Sequence, residues 1–415
     1  MMYSRPPHSI SATCQSDPSA NVTGFLPVLL LLIIIAAVMR DDFALTLVYL
    51  FVGAATAGAW WSRKSLKQIV TERQMDGHTF LGEKIMVRLQ IHNRGWLPVL
   101  WLNIQDELPV GLSSSPSFSR VLALSPGAST SFNYSLDASK RGFYPIGPLV
   151  ITTGDILGLQ EPEQRQSPAF YITVYPQIIP LTSVKIPSRS PQGTLRHHQP
   201  IFEDPTRVFS KREYTPGDSL RRVDWKATAS SGRLQIKLFE PSIALETFIF
   251  LDLNNQAYHH RSRIDSSELS IVIAASLAAW ITGKHQTVGL MVNGKDPLSG
   301  SVRPHSIQPS KGQAHLMRLL EVLARVELLD APALTEQIRQ QRYHLPWGTT
   351  LIVITGLASP DLLDELYQAR RSGQDTLLIL AGPSGYDPEM TRRAAQFGIP
   401  LICIANLHDL DIWRR

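Results

Sequence analysis

Cysteine is nearly absent: Cys14 and Cys403 are the only two in 415 residues. They are too few and too far apart to suggest a disulfide framework or a thiolate metal cluster, and they agree with a reducing compartment. Charge of one sign is also lacking. Lys and Arg number 40 against 35 Asp and Glu, and a formal +5 is small for this length. Such a balance gives no reason to expect nucleic acid as a partner. The motifs that announce chemistry are missing too: no P-loop, GxGxxG, HExxH, GxSxG elbow or CxxC occurs. A triad assembled from distant residues is not excluded, but nothing in the sequence argues for one.

Long apolar runs, by contrast, are present and concentrated near the N-terminus. GFLPVLLLLIIIAAVM (Gly24 to Met39) is followed by Arg40, Asp41 and Asp42, and then by FALTLVYLFVGAATAGAWW (Phe43 to Trp61). Two such runs across a tight hinge predict a transmembrane helical hairpin over 23–62, with Trp60 and Trp61 in the interfacial belt. A cleaved signal peptide would leave the second run unexplained. Arg63, Lys64, Lys67 and Arg73 follow the second run, whereas the hinge has one Arg against two Asp. Positive-inside logic therefore puts both ends, and the large C-terminal body, on the cytoplasmic side of the inner membrane. Residues 1–22, rich in Ser, Pro, His and Thr, read as a disordered tail.

The remaining chain is long enough for two further domains. From 70 to 175 it shows short alternating strands punctuated by Pro, Gly and Asn; Glu83 to Gly95 puts Ile85, Val87, Leu89 and Ile91 on one face. That pattern predicts an all-β, sandwich-like domain. Six prolines between Tyr175 and Val208 mark a connector over 176–209, where His197 and His198 read as solvated loop residues. From 243 to 415 apolar strands alternate with helical segments such as Ser266 to Gly283, and Ser359 or Asp361 caps another. This alternation predicts a doubly wound α/β domain with a parallel sheet.

Between these domains lies REYTPGDSLRRVDWKATASSGRLQIKLFEPS, Arg212 to Ser242. Pro216 and Gly217 suit a type II turn, Asp218 is placed to cap a helix over Ser219 to Ser230, and Ser231-Gly232 would end it. Asp218 with Arg222, and Arg221 with Asp224, are spaced to pair on one helix face. Leu234, Ile236 and Leu238 then alternate toward a core. Trp225 reads as a packing anchor whose removal would cost roughly 3 kcal/mol or more. Seven bases against four acids within Lys211 to Glu240 also leave room for a patch that takes phosphate, anionic lipid or an acidic partner. Farther on, the strand Phe248 to Leu251 ends in Asp252, Asn254, Asn255 and Gln256, at the sheet edge where α/β domains bind ligands. There Asp252 could equally hold magnesium through water or cap the next loop.

Arg212, Glu213, Tyr214, Pro216, Gly217, Asp218, Arg221 or Arg222, Asp224, Trp225 and Lys226 resemble the signature R-E-Y-x-P-G-D-x-x-R-x-I-D-W-K of the domain-of-unknown-function 58 family. RGFYPIGPLVITTGDILGL, upstream, resembles that family's R-G-x-Y-x-x-G-P and D-P-x-G-L elements. The resemblance implies a membrane-anchored protein whose α/β domain is similar to von Willebrand factor type A. It also implies action with an AAA+ ATPase of MoxR type. Such domains can bind a divalent metal through D-x-S-x-S, a threonine and a distant aspartate. Here Asp252 matches the first position, but Asn254 and Gln256 replace the serines, and Thr355-Gly356 stands where Asp-Gly is expected. That loss predicts a degenerate site and no cofactor, magnesium being the ion it would otherwise suit.

The function so implied is a non-enzymatic, membrane-tethered adaptor with lipid and protein partners. Two alternatives stand beside it: a membrane-associated enzyme using Asp252, Asp218, Glu213 or His285, and a structural component of the cell envelope.

Overall fold

The computed structural model describes Leu31, Ile33, Ile34 and residues 42–113, 115, 117–155, 158, 161–166, 170–184, 203–216, 218–241, 246–298, 305–383 and 385–413. The expected tail and most of the first apolar run lie outside the described residues, as do His197 and His198. Contacts divide the chain into two compact units, Met1–Gln177 with Leu320–Val326, and Ile178–Leu319 with Glu327–Arg415.

In the first unit the second apolar run forms helix α1, Asp42–Leu66. Its stretch Leu45–Leu66 is long and apolar enough to cross a membrane. Thr46 and Thr56 do not break it, because their hydroxyls donate to the carbonyls of Asp42 and Val52 at 2.8 and 2.9 Å. The last turn enters a β domain: Ser62, Ser65 and Leu66 are buried. Trp60 is exposed, but Trp61 turns inward and its indole N–H donates to the Pro98 carbonyl at 3.0 Å. Only one of the two tryptophans thus fits the expected belt.

The β domain has three sheets. Strands β1 (Ile69–Gln74), β3 (Lys84–Asn93) and β6 (Ser129–Asp137) form one; β2 (His78–Phe80), β7 (Gly142–Ile146) and β10 (Phe170–Tyr175) form a second. The third runs β5 (Ser117–Leu124), β4 (Val99–Glu107), β8 (Leu149–Thr153), β9 (Glu163–Gln166). Strand β3 shows the predicted alternation, with Ile85, Val87, Leu89 and Ile91 buried. A buried ion pair interrupts this core. Asp106, fully buried on β4, accepts from Arg73 at 2.6 Å and from the Tyr134 hydroxyl at 2.5 Å. Burial pushes its carboxyl up, and the Arg73 guanidinium opposes that shift.

The second unit holds a six-stranded sheet ordered β15-β14-β13-β16-β17-β18. These strands are β13 (Glu246–Leu251), β14 (Thr287–Val292), β15 (His305–Ser310), β16 (Thr350–Thr355), β17 (Asp375–Ala381) and β18 (Leu401–Ile404). All neighbours pair in parallel except β14 with β15. The order reverses between β13 and β16, which makes the carboxyl ends of those two strands the switch point. Phe248 and Phe250 pack on one face with Leu351, Val353, Leu378 and Leu380. Phe248 fits because β14 carries Gly289 beneath it; a Cβ there would lie 2.8 Å from the ring.

Two helices, α5 (Leu334–Arg342) and α6 (Pro360–Arg371), cover that face with Leu334, Ile338, Leu362, Leu363 and Leu366. The other helices are α2 (Trp225–Ser231), α3 (Arg263–Gly283), α4 (Gln313–Arg325) and, last, α7 (Pro388–Gln396). Helix α3 lies across β13, β14, β16 and β17 and is buried almost all round, as a helix without a polar face must be. Ser359 caps α6 by accepting from Leu362 N–H at 3.2 Å, with Pro360 at the first helical position.

The connector is shorter than expected. Ile179 N–H donates to Ser276 Oγ at 2.9 Å and Thr182 N–H to the Trp413 carbonyl at 2.8 Å, so its first residues pack on the second unit. Its last residues are already strand β11, Glu203–Glu213, paired antiparallel with β12, Gln235–Pro241. Pro205 is accommodated where the ladder shifts register between Asp204 and Val208.

Candidate functional site

The signature segment is the long tip of the β11–β12 hairpin. Asp218 does not cap a helix. Its carboxylate takes both Arg212 Nη atoms at 2.7 Å and accepts from Thr215 N–H at 2.9 Å and Thr215 Oγ at 2.8 Å. These donors, Arg212 first, hold its carboxyl well below the usual range. The cap is Asp224 instead, which accepts from Lys226 and Ala227 N–H at 3.1 and 3.2 Å. Lys211 reaches the other oxygen of Asp224 at 2.7 Å, and this contact leads the lowering of its pKa.

The expected helix over Ser219 to Ser230 is therefore split into a 3-10 turn, Leu220–Arg222, and α2. Val223 is extended and bridges to Ile236, which interrupts the helix and breaks the expected helical pairings. Gly232, at φ +70°, ends α2 as expected. Leu234 is exposed, so of the expected strand alternation only Ile236 is deeply buried.

Trp225 is the larger correction. It is 71% exposed, and Leu220 is 65% exposed. The first turn of α2 leaves the tip with its ring pointing to solvent, so Trp225 anchors no core. Arg221, Arg222 and Lys226 are exposed around it, whereas Glu213 is tied to Arg233 at 2.9 Å. Tyr214 is half-buried, with its N–H on the Leu234 carbonyl; Pro216 is exposed, and Gly217 lies outside the described residues.

At the switch point, Asp252 follows β13 and is 7% exposed. One carboxylate oxygen accepts from Asn293 Nδ2 at 2.7 Å and Asn254 N–H at 3.1 Å; the other accepts from Thr355 Oγ at 3.1 Å. Asn293 Oδ1 accepts from Leu253 N–H at 2.5 Å, which fixes the amide with its NH2 toward Asp252. The Tyr258 hydroxyl closes the floor against the Asp252 carbonyl and Ser270 Oγ. Burial pushes the Asp252 carboxyl up against the pull of these donors.

Residues 210–378 match the family model described as "Protein of unknown function DUF58". The matched segment takes in the hairpin tip and runs through the switch point. The chain is 25% identical over 324 residues, 76% of each chain, to the uncharacterized protein YeaD of Bacillus subtilis strain 168. Among solved structures, proximal thread matrix protein 1 from the mussel byssus superposes with a TM-score of 0.31 at 8% identity, over 41% of this chain and 46% of that one. The CARDB domain of the PF1109 protein from Pyrococcus furiosus gives 0.18 at 9%, over 26% and 86%. Scores of this size do not establish a common fold.

Within the matched segment, the donor set at Asp252 does not fit a divalent cation. Two of the three groups facing its carboxylate are N–H donors, and Thr355 supplies the one oxygen. Asn254 turns its amide to the Ala331 carbonyl and the Gln256 N–H, and Gln256 itself is exposed. A hard cation needs several oxygen ligands and charge. Asp252 instead ties the ends of β13, β14 and β16 together. Asn293 was missed from sequence, although it follows an apolar strand just as Asp252 does. His285, exposed at φ +58°, belongs to the turn that leaves α3.

Proposed function

We propose that this protein is a membrane-anchored, non-enzymatic adaptor whose DUF58 domain docks a protein partner through the tip carrying Trp225. The observation behind this reading is the contrast between an exposed aromatic and the rigidity of its mount. Asp218 and Asp224 spend seven hydrogen bonds or ion pairs bracing a loop whose largest apolar side chains face water. Exposed Trp and Arg on a preorganised loop is the composition of interface hot spots. The strand order, with antiparallel β15 beside β14, supports likening the α/β domain to von Willebrand factor type A. That likeness makes an AAA+ ATPase of MoxR type the partner to try first. Basic residues after α1 favour a cytoplasmic body at the inner membrane.

Binding of the purified ATPase to the full chain in detergent, with and without ATP, tests the reading. Trp225→Ala should weaken binding at least tenfold while Asp252→Asn leaves it unchanged. Equal binding by wild type and Trp225→Ala would remove the tip from the interface.

A further inference from the structure

The β domain of the first unit carries a second set of outward-facing apolar side chains, and these lie beside the end of α1. The segment Arg94–Leu100, which is the β3–β4 loop and the first two residues of β4, touches that end at two points: Arg94 N–H donates to the Gln68 carbonyl at 3.0 Å, and Trp61 donates to Pro98. Asn93, fully buried, holds the loop from within. Its amide donates to the Leu97 and Ser125 carbonyls at 2.9 and 3.2 Å and accepts from Gly95 N–H at 2.9 Å. Leu97 points in, 1% exposed. Trp96 points out at 67%, with Leu100 at 47% and Trp60 of α1 at 56%.

Helix length says what covers them. From Phe43 to Trp61 the apolar run rises about 28 Å at 1.5 Å per residue, close to the ~30 Å hydrocarbon core. The domain, however, already meets α1 at Gly58, where a Cβ would lie 3.0 Å from Asp155 Cβ. The stretch before Gly58 rises only about 24 Å from Asp42, too little to span the core by itself. For α1 to span, lipid must reach the level of Trp60 and Trp61, which is the level of Pro98 and Trp96. Arg63, Lys64, Lys67 and Arg94 are exposed around the same end, in the place where anionic headgroups would meet them.

We infer that the Arg94–Leu100 segment is a lipid-docking face: Trp96 and Leu100 enter the interfacial layer beside Trp60, and the surrounding bases take anionic headgroups. This inference rests on α1 crossing the bilayer, and the test separates the two. A photoreactive benzoylphenylalanine is placed at Leu50, Trp96 or Val110 of the full chain, in nanodiscs of phosphatidylethanolamine and phosphatidylglycerol. Val110 is 87% exposed and lies past the far end of β4. Lipid adducts at Leu50 and Trp96, several-fold above those at Val110, are the expected result. Adducts at Leu50 but not at Trp96 overturn the docking face and leave the span. Cross-links from Trp96 to a second copy of the chain overturn it in favour of self-association. No lipid adduct at Leu50 removes the span, and the docking face with it.

Discussion

Asp252→Asn and Asp252→Ala should part sharply. Alanine leaves Asn293 Nδ2, Asn254 N–H and Thr355 Oγ facing a void, and each unsatisfied buried group costs about 1–3 kcal/mol. Allowing for rearrangement, the loss should be about 3–5 kcal/mol. Asparagine keeps the shape, accepts from Asn293 and Asn254, and donates to Thr355 while removing a buried charge; the change should stay within about 1 kcal/mol in either direction. The pH dependence separates them further. Burial raises the folded-state pKa of Asp252, so between its unfolded and folded values the native state holds more protons. Stability from this group is therefore greatest below the unfolded pKa and falls as pH rises toward the folded one. Asp252→Asn should abolish that slope. Hydrogen exchange of peptides covering β13, β14 and β16 reads the opening of this unit directly. Equal losses for Asn and Ala, with protection restored by added Mg²⁺ in wild type alone, would refute the account and reinstate a cation site.

Trp225→Ala should shift the protection of β11 and β12 by no more than about 0.5 kcal/mol, as for a surface change; a loss of several kcal/mol would show the ring to be buried in the protein. Arg73→Met leaves Asp106 buried without its charge partner and should cost about 3–5 kcal/mol in β4 exchange, with the additional Asp106→Leu change recovering much of that loss. Gly289→Ala drives a methyl into Phe248 and should cost about 1–3 kcal/mol, read in β13 and β14, and Phe248→Leu in the same chain should relieve it.

Most of the architecture was legible because its signals are periodic. Strand β3, helix α3 and the cap at Ser359 each follow from spacing or from a cap residue. What escaped had too few apolar residues to show a period. Helix α5 buries only Leu334, Gln337 and Ile338 among its nine residues, and β15 alternates about a single Ile307. The signature segment misled for another reason. Asp218 has both cap chemistry and helical spacing to Arg222, but Arg212, six residues back, competes for the same carboxylate and offers two parallel hydrogen bonds. Once Asp218 is taken, the helix waits for the next acid with free N–H groups behind it, Asp224. Trp225 is then set by that cap rather than by a core. At the switch point the sequence located Asp252, while Asn293 became visible only when β13 and β14 were known to be neighbours.

The burial of α3 has a consequence for biogenesis. Arg263–Gly283 has a mean hydropathy of 1.4, above the 1.3 of Leu45–Leu66. By length and composition alone the core helix is as eligible to cross a membrane as Leu45–Leu66. Its packing across the sheet keeps α3 in the core, and β14, β16 and β17 are all made after it. If α1 anchors the chain as proposed, there is an interval during synthesis in which a second segment of spanning length and composition is exposed beside the membrane. On that reading topology is decided by a race between sheet closure and capture, and slow-folding variants of this domain should fail first by threading rather than by aggregation.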